Sequence, residues 1–316
     1  MIITSDLDFW HTQSQRSLLN RIATAPTELV DYVTAVNANT SQQSEPKPVQ
    51  AYIIPHDFLA DIQAAIAQLP DVVKTKLESC LLGVFLASGV GSSAITDVIA
   101  DRDGNLLGAV VLLDADVFLA RSANVWMRWK EATPFLANTD YQLQAQIADT
   151  SDDHRQQALQ YLLLHEFGHV LSINTEFLPN WWIGSQKFKE TEEYSFLSIC
   201  WQIAMNGDII PLIRHNFEQR TAIHYYGDGQ IDADQMSVTY QALERTGFPS
   251  LYAATSVYED FAESFATYVH VVLMHKPWQI QILQDNQIIF SFADYWTSPR
   301  AKRKAQIFAE FLHSPA

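Results

Sequence analysis

Cysteine, basic residues and long apolar runs are all scarce in this chain, and each scarcity closes off a class of protein. Only Cys80 and Cys200 occur among 316 residues, and neither has a second cysteine or a histidine at the short spacing of a metal or redox motif. A disulfide framework is therefore excluded, and two buried thiols are expected rather than one bond. Lys and Arg number 20 against 36 Asp and Glu, a formal net charge of −16. So acidic a surface argues against nucleic acid and anionic membrane as partners. Met1 to Trp10 lacks the basic start and apolar centre of a signal peptide. The most apolar long stretch, Leu81 to Ala100, is broken by Gly83, Gly89, Gly91, Ser92, Ser93 and Asp97, so no membrane span is expected. A cytoplasmic protein is the expectation. No internal repeat or low-complexity tract is visible.

What the chain does have is 48% hydrophobic residues, ample for a core, and one strongly patterned stretch. From about Asp152 to Ile173, Ala158, Leu159, Leu162, Leu163, Phe167, Val170 and Leu171 recur at helical spacing. Asp152 and Asp153 suit that helix's N-terminal end, where carboxylates meet free backbone N–H groups. Inside it stands His165-Glu166-Phe167-Gly168-His169. Histidines four apart project from one face, one turn above the other, so two imidazoles can hold one metal ion. Glu166 lies about 100° further round, where it reaches a water at that ion without being a ligand. The competing reading is coincidence, on the order of one in a hundred for this pattern at ordinary composition. Histidines late in so apolar a helix, however, are costly to bury without a partner.

The rest of the chain is read around that helix. Residues 12–37 carry a ragged helical stripe interrupted near Pro26, and 37–50 is polar with two prolines, a linker. This divides the chain into an N-terminal helical segment and linker, 1–50, and a main domain, 51–316. Helices are predicted after Pro55 and from Pro70 to about Cys80, then a buried strand over 81–87. Gly89 to Ala94 reads as a glycine turn rather than a dinucleotide loop, since no acidic residue follows at the required distance. Residues 95–118 read as a β-hairpin around Asp103-Gly104; with no glutamate at the twelfth position, this is no calcium loop. Its second strand, Gly108 to Leu113, can pair with an extended peptide if it forms a sheet edge; an ordinary core strand is as good a reading. Residues 123–135 predict a short helix and turn. The aromatic-rich 174–249 predicts a helical insertion, either a cleft wall or plain core. A helix over 258–275, a hairpin turning at Asp285-Asn286 and a helix over 298–313 complete the chain.

Two histidines need a third protein ligand. Ser172 and Thr175 stand where a metzincin has its glycine and third histidine. Glu259 is the best candidate: it shares a helix face with Glu263 and His270, and Glu263 can accept the free ring N–H of a liganding histidine. Ser256-Val257-Tyr258-Glu259 equally matches a capping box, in which Glu259 only caps its own helix, and spacing alone leaves the two readings open. Glu193 and His270 are weaker candidates; His154, His215, His224 and His275 read as surface or loop residues.

His165-Glu166-Phe167-Gly168-His169 together with Glu259-Asp260-Phe261-Ala262-Glu263-Ser264-Phe265 resembles the gluzincin metallopeptidases, most of all the catalytic domain of anthrax lethal factor. The resemblance covers about 152–173 and 250–275. The interval between the motifs is longer than in that toxin, and the N-terminal third matches none of its binding domains. The resemblance implies that Glu259 is the third zinc ligand. It also implies that Tyr252, seven residues before it, donates to the developing oxyanion. The resulting expectation is an α+β, zincin-like fold with a small twisted sheet packed on the metal helix and helices elsewhere. The expected activity is zinc-dependent peptide hydrolysis. One Zn2+ sits on His165, His169 and Glu259, Glu166 is general base and acid, Glu263 stands behind the ligands, and peptides or proteins are the substrates. Two alternatives stand beside it: a non-catalytic zinc protein binding a partner through its aromatic cleft, and a hydrolase of non-peptide amides or esters.

Overall fold

The structure, a computed structural model, describes residues 1–40, 48–183, 188–189 and 192–314. Its α+β chain divides into two units, 1–121 and 122–314. This corrects the expected boundary at residue 50. The reason is sheet pairing: the strands at 22–24 and 50–51 both hydrogen-bond to the strand at 81–88. Residues 41–47 of the expected linker lie outside the described residues.

The first unit runs β1 (Ile2–Ile3), α1 (Leu7–Ser14), β2 (Ile22–Thr24), α2 (Thr27–Thr40), β3 (Gln50–Ala51), α3 (His56–Ala67), α4 (Asp71–Glu78), β4 (Leu81–Ser88), β5 (Ala94–Ala100), β6 (Leu106–Asp114) and α5 (Ala115–Phe118). The strands make one mixed sheet ordered β1-β5-β6-β4-β2, with β3 also on β4. Leu81 to Ala87 are all buried, which is why β4 reads as an unbroken apolar run. Residues 12–37 are not the predicted interrupted helix: Ile22 to Thr24 pair in parallel with Val84 to Leu86. Nor is β6 an edge strand. It bonds to β4 on one side and β5 on the other, so no peptide can add to it.

The second unit runs α6 (Ala123–Ala132), β7 (Tyr141–Gln146), α7 (Arg155–Leu171), α8 (Leu197–Cys200), β8 (Trp201–Ile203), β9 (Ile209–Pro211), α9 (Met236–Leu243), α10 (Val257–Thr267), β10 (Gln279–Gln284), β11 (Gln287–Phe292) and α11 (Lys302–His313). An antiparallel sheet, β11-β10-β7, packs chiefly against α6, which in turn packs on α7. Asp285 and Asn286 both adopt positive φ, 50° and 62°, as a tight two-residue hairpin turn requires. The described part of 174–249 is mostly loops and short 3-10 turns, with only α8 and α9 as α-helices and the β8-β9 ribbon between them. The helical insertion expected there is replaced by an aromatic-rich, irregular wrap.

α7 is an interior helix. Every residue from Gln157 to Leu171 except His169 is buried, which explains the breadth of its apolar stripe. It starts at Arg155, and Asp153 does not cap it. The Asp153 carboxylate accepts instead from Asn124 N at 2.8 Å and Ser122 Oγ at 3.0 Å, capping α6. Among the described residues no helix is long and apolar enough to cross a membrane.

Candidate metal centre

Two helices from the second unit converge because a glycine lets them touch. A Cβ on Gly168 would stand 2.7 Å from Ala262 Cα, closer than atoms can approach. Gly168 is thus the contact point at which α7 meets α10. The outcome is that His165 and His169 from α7 face Glu259 from α10. Glu259 Oε2 lies 3.2 Å from His165 Nε2 and 3.5 Å from His169 Nε2. It is a buried oxygen with no hydrogen-bond donor properly aimed at it. One donor atom from each of the three side chains falls within 4.8 Å of the others. A carboxylate oxygen and two imidazole nitrogens sharing so small a space is what a tetrahedral N/O site for zinc requires, so the donor set fits that ion.

The capping box is half formed. Ser256 Oγ accepts from Glu259 N at 3.2 Å, while the Glu259 carboxylate turns to the histidines. Glu259 therefore enters the cap through its backbone alone, and its side chain stands beside the histidines. Glu259 is held well below the ordinary carboxylate range: burial opposes ionisation, but the two imidazoles outweigh it. His165 is pushed up to about 10, burial again opposing and the carboxylates of Glu259 and Glu263 prevailing.

Glu263 lies one turn further along α10. Its Oε1 is 3.0 Å from His165 Nδ1 and 2.8 Å from Lys130 Nζ, and its Oε2 accepts from Ser250 Oγ at 2.8 Å. Against burial, Lys130 and then His165 keep it strongly acidic. Tyr252 sits in a short 3-10 turn before α10, its ring stacked on His165 with centroids 5.5 Å apart and planes 22° apart. Burial, reinforced by Glu259, raises its phenol well above the ordinary value, so it stays a proton donor. Glu166 is buried on the same helix as the histidines. Side chains of His169 and Glu259 remain 14% and 23% exposed, which leaves the donors open to solvent on one side.

No protein-family model matches the chain, and it matches no curated protein and no solved structure. The site therefore rests on its own residues.

His270 does not join the donors. The helix passes into a π-helix over Tyr268–Leu273, and the ring Nε2 meets Pro277 O at 3.0 Å. Glu193 is exposed. The cysteines are both free; Cys200 is buried and Cys80 partly so, and burial pushes their thiols up to about 12 and about 11. Lys130, Ser250 and Gly168 escaped the sequence reading. Lys130 had a signal: with Trp126, Met127 and Glu131 it falls on the buried face of α6, an odd place for a charge.

Proposed function

We propose that the second unit is a zinc-dependent peptidase of the gluzincin type, with a zincin-like fold. The observation that carries this is the convergence of His165, His169 and Glu259, three protein donors and no fourth among the described residues. A structural zinc site closes with four protein ligands, whereas a catalytic one keeps a position open.

His165, His169 and Glu259 would hold the zinc, which would supply Lewis acidity to an attacking water and to the scissile carbonyl. Glu166 takes the proton from that water and passes it to the leaving amine nitrogen. The Tyr252 phenol donates a hydrogen bond to the carbonyl oxygen as it gains charge. Glu263 Oε1, 3.0 Å from His165 Nδ1, is placed to take a hydrogen bond from that nitrogen, which would fix the tautomer and leave Nε2 as a ligand. The acidic surface favours neutral or basic peptides. A protein of this kind acts on peptides or proteins in aqueous solution, and a cytoplasmic setting is consistent with it.

The test is an unbiased peptide library with the purified chain and with Glu166→Gln. The variant should keep one zinc per chain and lose cleavage. Unchanged turnover in Glu166→Gln removes the role assigned to that residue, and no cleavage by either protein, despite full zinc, turns the reading to a non-catalytic centre.

A further inference from the structure

α6 places a lysine behind the donor cluster. Lys130 is buried, 2% exposed, so its amino group reaches neither solvent nor a substrate. Its Nζ lies 2.8 Å from Glu263 Oε1, the oxygen that also faces His165 Nδ1 at 3.0 Å. Glu131 Oε1 is the more distant partner, at 3.5 Å. The ammonium also rests over two aromatic faces, 4.7 Å from the Tyr252 centroid and 5.6 Å from that of Tyr225. Tyr225 is itself tied down, its hydroxyl donating to Glu131 Oε2 at 3.3 Å.

We infer that Lys130 is a positioning residue of the metal centre: by holding Glu263 Oε1 in place, it sets the orientation of His165. This rests on reading His165, His169 and Glu259 as a zinc site. A lysine serving only to fill space is a poor choice here, because burying a charge costs more than burying a methionine of similar length. The tyrosine faces are attractive surfaces for an ammonium and fix where it sits. Without it, the buried Glu263 keeps Ser250 as donor but loses its closest cation. The carboxylate is then free to rotate away from the imidazole. Ligand orientation set from behind in this manner is worth roughly 10–100-fold in metal affinity.

The experiment measures Zn2+ affinity by competition with a chromophoric chelator, using the full chain, Lys130→Met, Glu263→Gln and the double variant. Each single variant should bind zinc 10–100-fold more weakly. The double variant should fall within about threefold of Glu263→Gln, since Lys130 acts only through that carboxylate. Cobalt in place of zinc should show the same displaced visible band in both single variants. Lys130→Met binding zinc as the unaltered chain does overturns the inference, and so do additive losses in the double variant. If Lys130→Met does not fold, Lys130→Gln, which also removes the charge, takes its place against the same criteria. An unaltered chain that takes up no zinc overturns the metal-centre reading as well. It is told apart from failure of the Lys130 role because it is read before any variant.

Discussion

The two units bury polar side chains for different purposes. In the first, Arg21 and Asp114 serve the backbone, while Asp97 pairs with the N-terminal ammonium of Met1 at 2.9 Å. Arg21 donates to the carbonyls of Arg16, Glu78, Leu81 and Ser14. Asp114 accepts from Val90 N and Asp116 N, closing the β4–β5 connection and the start of α5. In the second unit, buried ions face one another. Lys130 pairs with Glu263, and Lys304 from α11 pairs with Asp260, the residue next to Glu259. Satisfying a carbonyl is a folding requirement that any domain must meet. Burying ion pairs is rarely the most stable choice, and clusters of them mark places where geometry matters more than stability. The site proposed for function lies in the second unit, and the contrast can be broken or sharpened by experiment.

The largest expected effect is on metal. Glu259→Ala should weaken zinc by more than the roughly 10–100-fold of a change behind the ligands, while Asp114→Asn in the first unit leaves it unchanged. Equilibrium dialysis with metal analysis reads both. Next comes the second ion pair. Lys304→Met leaves Asp260 buried without its cation, which should cost about 3–5 kcal/mol in urea unfolding. Replacing both residues by apolar ones of similar volume should recover most of that. If Lys304→Met is as mild as an ordinary surface change, the buried pairs do not distinguish the units.

His270 gives a pH dependence of similar size. Burial first, then Lys276, lowers its pKa from 6.5 to about 4, and the carbonyl of Pro277 does not offset this. The folded state thus resists a proton that the unfolded chain accepts. Stability is full above about pH 6.5 and is lost as pH falls towards 4, by about 3 kcal/mol for that difference. His270→Gln should flatten the urea midpoint between those limits. Gly168→Ala should cost about 1–3 kcal/mol through overpacking against Ala262, with weakened zinc uptake because α10 is pushed off α7. The smallest change in zinc uptake is in the first unit: Arg21→Met should leave it intact while costing about 1–3 kcal/mol of stability for each buried carbonyl left unpaired.

How far these features could be read in advance depended on sequence distance. His165, Glu166 and His169 were legible because helix geometry converts a spacing of four into a shared face. β4 and the β5–β6 and β10–β11 hairpins were legible for the same local reason. Ile22 to Thr24 were misread because Leu18, Leu19 and Ile22 fit a helical stripe as well, and only pairing with β4 makes a strand of them. β7 went unseen, since Tyr141-Gln142-Leu143-Gln144-Ala145-Gln146 is too polar to stand out until β10 pairs with it. Glu259 was ambiguous locally, because the same four residues encode a helix cap and a carboxylate turned to the histidines.

Taken alone, the amino-acid order determined the mixed α+β character, the metal helix and the pair of histidines on it, since these depend on periodicities of a few residues. The tertiary structure decided which carboxylate meets those histidines, that Gly168 is where the two helices touch, and that Lys130 stands 133 positions from the glutamate it holds. Contacts of that span are set by how elements pack, and packing density leaves no trace in local spacing.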